Sequence, residues 1–295
     1  MQRISIVRWF SKCGFSAAIL LLACGAATAW FGNGLQLPAT TTRDGTLITL
    51  NRYAREPIPD VALVGSSLAF RLKEEYFATP RLRNLALAGG SPVTGLEIIA
   101  SQPRLPRIIL VEANVLSRAT DTSLVQRYSR GRDAEPVVFR PIRTAVAAYE
   151  NWLHAPLSHS QASFGHTQLL KQPPSDFDSR IYVDRALQQM NEEDPTVTAR
   201  VNVMRIEQLI LAVEQSGARV RLFELPYSEQ LEESRSAKIT REIVQTKFPD
   251  PERWLQIDFP RKELRWADGV HLDERSAVIV TQSVDRTLSS LLEQR

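Results

Sequence analysis

The chain has 295 residues, 43% of them hydrophobic and 23% charged, which is ordinary globular composition and excludes a disordered, collagen-like or low-complexity protein. Lys+Arg 36 against Asp+Glu 33 gives a net charge of +3, and no basic block points to nucleic acid as a partner. Both cysteines, Cys13 and Cys24, lie near the N-terminus, so a disulfide scaffold, a Cys-based zinc site, an Fe–S cluster and a Cys nucleophile are excluded for the rest of the chain.

The first 12 residues carry Arg3, Arg8 and Lys12 and read as a cytoplasmic basic segment. Residues 13–31 hold no charge, and the next charged residue is Arg43. An apolar run of about 18–20 residues is long enough to span a bilayer, and basic residues before it predict an N-terminus inside and a body outside. Three readings fit: an uncleaved transmembrane signal anchor, a signal peptide cleaved after Ala27-Thr28-Ala29, and lipidation of Cys24 within Leu21-Leu22-Ala23-Cys24. The anchor reading gives a single-pass protein of a bacterial inner membrane, held there through its N-terminal helix, with the body in the periplasm. Residues 32–58, with Gly, Pro and a Thr run, read as a linker, and residues 59–295 as one domain.

Within that domain short apolar runs alternate with helical periodicity. VALVG (61–65) predicts a buried strand, 67–76 a helix, RNLALAG (83–89) a second strand and 92–101 a helix with Pro92 in its first turn. RIILVEAN (107–114) predicts the third strand, 198–216 a helix, RVRLFEL (219–225) the fourth strand, and 234–247 a helix. WLQIDF (254–259) predicts a fifth strand and 274–292 a closing amphipathic helix. This alternation implies an α/β fold: a five-stranded parallel sheet flanked by helices. Residues of about 118–197 break the rhythm and read as a helical insertion.

In an open parallel sheet, ligands bind outside the carboxyl ends of the strands. The first strand ends in Gly65-Ser66-Ser67, the second in Ala88-Gly89-Gly90-Ser91 and the third in Glu112-Ala113-Asn114; the loop before the last helix holds Asp268-Gly269-Val270-His271. Acyl transfer needs such a set. A hydroxyl attacks only when an imidazole takes its proton, a carboxylate fixes the imidazole's tautomer, and N–H donors hold the oxyanion.

Taken in order, these blocks resemble those of the SGNH (GDSL-like) hydrolases. The resemblance implies the flavodoxin-like sheet order, Ser67 as nucleophile, His271 as base and Asp268 as its orienting carboxylate. It implies Gly89, Asn114 and the Ser67 N–H as oxyanion donors. Ser66 stands where the family has Asp, Glu112 and Val115 replace the Gly and Asp of the third block, and Leu272 replaces a common Pro. The G-S-S block behind an apolar N-terminal segment is similar to the extracytoplasmic branch that acylates cell-envelope polymers. The implied function is a serine esterase or O-acyltransferase acting on acyl, chiefly acetyl, esters of a glycan or envelope polymer. The implied partner is a multipass membrane acyltransferase. The alternative is an inactive SGNH-like scaffold or binding subunit of an acylation or polysaccharide export complex.

Each residue also has a plainer reading. Ser66 and Ser67 suit a helix cap, Gly89-Gly90 a tight turn, Asn114 a turn, and Asp268 a turn with His271 packed beside Trp266. Gly65-Ser66-Ser67-Leu68-Ala69 also approaches the G-x-S-x-G elbow of α/β-hydrolases, with Ala in the fifth position. His154, His159 and His166 have spacings of five and seven that suit no single helical face and read as surface residues, while Glu224 is expected to line the cleft. No glycine-rich phosphate loop is present, and nothing in the sequence requires a cofactor or a metal.

Overall fold

The computed structural model describes residues 2–31, 42–129 and 159–293, and the chain divides into two compact units. The described residues of the first unit form two helices, α1 (Gln2–Phe31) and α2 (Thr42–Arg55). Among the described residues no helix is long and apolar enough to cross a membrane, which corrects the transmembrane anchor expected at 13–31. The helix begins at Gln2 and so takes in Arg3, Arg8 and Lys12, whose charges a bilayer interior does not accept.

The second unit, formed by residues 57–133 and 159–295, holds the sheet. Its strands are β1 (Val61–Val64), β2 (Leu82–Asn84), β3 (Ile108–Glu112) and β4 (Arg219–Phe223). All pair in parallel in the order β2-β1-β3-β4, with Val61 opposite both Leu82 and Ile108, and Ile108 opposite Arg219. Every residue of β1 and β3 is buried, as expected of central parallel strands covered on both faces. On one face α4 (Pro92–Ala100) packs on β1 and β3 while α8 (Thr196–Gln215) packs on α4 and β4. On the other face Val61, Leu63, Ile108, Leu110 and Phe223 share a core with Val278, Val284 and Leu288 of the closing helix, α11 (Glu274–Glu293).

Among the described residues the sheet therefore has four strands, not the five expected. Residues 254–259 make a single bridge, Leu222 with Trp254, and one ladder bond, Leu255 N–H to Leu222 O at 2.8 Å. Pro226 and Pro260 flank the continuation, and neither carries the N–H that a longer ladder needs. The second strand is also shorter than expected. Asn84 turns its side chain onto the carbonyls of Ala69 (2.7 Å) and Leu72 (2.8 Å), although Leu85 and Leu87 still donate to Leu63 O and Gly65 O. Those same carbonyl contacts end the helix expected over 67–76. What forms is a single turn, α3 (Ser67–Phe70), followed by a 3₁₀ turn at Glu74–Tyr76.

The described part of the 118–197 stretch holds α5 (Thr122–Tyr128), α6 (His159–Leu170), α7 (Arg180–Glu192) and the start of α8. After β4 come α9 (Glu229–Glu232) and α10 (Arg235–Lys247), both packed against α7. Asn202 of α8 donates to the carbonyls of Leu116 and Arg118, both at 2.8 Å, and so ties down the loop that leaves β3 toward the cleft.

Candidate active site

At the carboxyl end of β1 the chain turns sharply into α3. Ser66 is extended and caps the turn, its Oγ accepting from Leu68 N–H at 3.2 Å. Ser67 follows as the first helical residue. Its Oγ lies 2.9 Å from His271 Nε2, and His271 Nδ1 lies 2.8 Å from Asp268 Oδ2. With the imidazole proton on Nδ1, that N–H donates to Asp268, and Nε2 is left to accept from the Ser67 hydroxyl. Residues 204 positions apart thus meet in one hydrogen-bonded line.

The loop carrying Asp268 is built to aim the imidazole. Asp268 Oδ1 accepts from the N–H groups of Val270 (3.1 Å) and His271 (2.7 Å), an Asx-type turn made by its own side chain. Gly269 sits at φ +82°, and a Cβ there would come within 2.9 Å of Leu231 and 3.2 Å of Val183. A bridge between Trp266 and Leu272 closes the loop, with Ala267 N–H donating to His271 O at 2.8 Å. Partial burial pushes the Asp268 carboxyl up, but the His271 side-chain and backbone N–H groups outweigh it and hold the group at about 2. Asp268 is therefore an anion throughout the neutral range.

A cleft of about 210 Å³ opens in front of Ser67 and His271. Gly89 and Gly90 form one wall, and Gly89 is in the left-handed region at φ +76°. Asn114 forms another wall, but its side chain is engaged: Oδ1 accepts from Leu225 N–H at 2.6 Å and Nδ2 donates to Leu225 O at 2.8 Å. An amide nitrogen carries two hydrogens, so one donor of Asn114 remains for a ligand. Met190, Ala186 and Val270 supply an apolar side, and Arg118, Gln189 and Glu193 a polar one.

The sequence reading gave no role to Glu112, the last residue of β3. It is fully buried directly beneath the Ser67 turn. Its Oε2 accepts from Ser66 N–H at 2.7 Å and Ala69 N–H at 3.3 Å, and Ser66 Oγ lies 2.9 Å from Oε1. Burial dominates and raises its pKa to about 7, against the lowering effect of these bonds and of His271. The available signal was a carboxylate in an otherwise apolar run at a strand position buried on both faces, which only a satisfied partner set permits.

Other expected residues lie elsewhere. Glu224 does not line the cleft. It accepts from Arg241 Nε at 3.2 Å in a neighbouring cavity of about 530 Å³ bounded by Phe248 and Trp254. His166 packs edge-on against Tyr76, His159 opens α6, and His154 falls outside the described residues. No protein-family model matches the chain, and no curated protein matches it.

Proposed function

We propose that the chain is a serine-dependent esterase or O-acyltransferase of the SGNH type. The observation that carries this reading is the continuous line from Ser67 Oγ through the His271 ring to Asp268, at 2.9 and 2.8 Å. A helix cap alone would not require His271 to face Ser67, nor Asp268 to face the far side of the ring.

In the proposed reaction Ser67 Oγ attacks an ester carbonyl while its proton passes to His271 Nε2. The charge on the carbonyl oxygen is met by the Ser67 N–H, the Gly89 N–H and the second hydrogen of Asn114 Nδ2. Asp268 stabilises the imidazolium that forms. His271 then returns the proton to the leaving alcohol, and an acyl-serine remains. Water, or a sugar hydroxyl, then gives its proton to the same nitrogen as its oxygen bonds to the acyl carbon; the bond to Ser67 Oγ breaks, and His271 returns the proton to that oxygen.

The cleft is smaller than the 300–1,000 Å³ usual for drug-sized ligands. This favours a short acyl group such as acetyl, and the Arg118, Gln189 and Glu193 rim suits a hydroxyl-rich alcohol portion. The basic-then-apolar order of residues 3–31 supports an envelope glycan outside the cytoplasm as the source of such esters. The test is hydrolysis of p-nitrophenyl acetate, butyrate and octanoate by the purified full chain. The reading expects acetate to be favoured and Ser67→Ala to lower kcat by about 10³-fold or more. Equal turnover by Ser67→Ala would overturn it.

A further inference from the structure

Four consecutive backbone N–H groups, those of Ser66, Ser67, Leu68 and Ala69, point out of the turn between β1 and α3. Three are taken: Ser66 and Ala69 donate to Glu112 Oε2, and Leu68 donates to Ser66 Oγ. The Ser67 N–H has no hydrogen-bond partner among the described residues. Ser66 Oγ is itself held by Glu112, at 2.9 and 3.0 Å from its two oxygens. One buried side chain on β3 thus governs, directly or through Ser66, every neighbour of the one unengaged donor.

We propose that Glu112 is a positioning residue for the serine: its carboxylate clamps the turn so that Ser67 Oγ meets His271 and, of the turn's four N–H groups, only that of Ser67 is left to face the reacting carbonyl oxygen. The inference rests on the esterase reading of the site. Space around the carboxylate supports it independently. A Cβ on Gly65 would stand 2.6 Å from Glu112 Oε2 and 2.5 Å from Ala69 Cβ, so residue 65 is kept bare where the carboxylate passes under the turn. The remaining titratable groups that face Glu112 are His271, from the loop before α11, and the buried Tyr227, from the segment after β4.

The geometry serves an amide as well as a carboxylate. In Glu112→Gln the amide oxygen can accept from Ser66 and Ala69, while its NH₂ donates to Ser66 Oγ. In Glu112→Leu neither N–H has an acceptor. The experiment measures the rate of covalent labelling of the full chain by a fluorophosphonate, resolved into a maximal rate and an apparent affinity. Glu112→Gln is expected within about 3-fold of wild type, and Glu112→Leu about 10- to 100-fold slower in maximal rate at unchanged affinity. Where Glu112→Leu does not fold, Glu112→Asp, one methylene too short to reach both N–H groups, takes its place with the same expectation. Wild-type labelling by either shortened variant, or a loss in Glu112→Gln as large as theirs, overturns the inference.

A wild type that is not labelled at all overturns the esterase reading instead. The clamp is then read from the amide resonances of Ser66 and Ala69. They are expected to be kept downfield in Glu112→Gln and to move upfield in the shortened variant. Resonances unmoved by losing the carboxylate contradict the clamp whatever the function.

Discussion

Glu112 bonds the Ser67 turn directly and Asp268 meets it only through His271, and their surroundings drive the two carboxylates in opposite directions. Asp268 is half-buried and surrounded by donors, so its carboxyl is held down at about 2. Its folded-state pKa lies below its ordinary 3.8, so its contribution to stability is present above about pH 4 and is lost as pH falls toward 2. Asp268→Asn keeps the shape but withdraws the charge and can turn an NH₂ toward the ring. The wrong tautomer is then favoured, and kcat should fall by about 10³- to 10⁴-fold with little change in KM, measured on the ester that wild type turns over best. Glu112 has the opposite sign. Its pKa rises from 4.5 to about 7, so the folded state keeps a proton that the unfolded state gives up. Stability therefore falls as pH rises through that window. Replacing Glu112 by Gln removes the effect, and urea denaturation at pH 8 should find the variant more stable than wild type by on the order of 3 kcal/mol. At pH 4 the two should be nearly equal. A variant less stable than wild type at both pH values would contradict a buried, burial-raised carboxyl.

At the scale of elements, the turn from β1 into α3 is where space is tightest. Gly65→Ala forces its new Cβ against Ala69 and the Glu112 carboxylate. The expected cost is about 1–3 kcal/mol in a denaturation midpoint, with slower covalent labelling of Ser67 as the turn shifts. A neutral Gly65→Ala would show that the turn has slack that the contacts deny. The legibility of each element follows the same physics. VALV and RIILVE stand out in the sequence because central parallel strands are apolar on both faces. The segment Leu255-Gln256-Ile257-Asp258-Phe259 has a strand's alternation too, but period alone does not reveal that its neighbour β4 ends at Phe223, just before Pro226. The helix expected over 67–76 failed for a related reason. Asn84, distant in sequence, takes the carbonyls of Ala69 and Leu72, and nothing in residues 67–76 announces that.

Placement was legible from residue type at the ends of β1–β3 and in the loop before α11: Ser67, Gly89, Asn114 and His271 line one cleft, and Asp268 bonds His271. It was not legible where a role depends on burial. Glu112 looks like any carboxylate leaving a strand until β1 and β4 enclose it on both sides. Asn114 reads as a donor, yet most of its bonding capacity holds Leu225.

For the molecule as a whole, the four-stranded sheet supplies the frame, with β1 and β3 at its centre delivering Ser67 and Glu112 to one edge. The loop before α11 delivers the imidazole to the same place, and α7 and α10 complete the cleft wall with Met190 and Ala237. This arrangement is proposed to activate one particular serine among many. The most direct measurement is fluorophosphonate labelling of the purified full chain followed by mass spectrometry of its peptides, for wild type and Ser67→Ala. One adduct per wild-type chain is expected, on Ser67, and none on the folded Ser67→Ala variant. An unlabelled but folded wild type, or an adduct that persists in Ser67→Ala, would contradict the proposal.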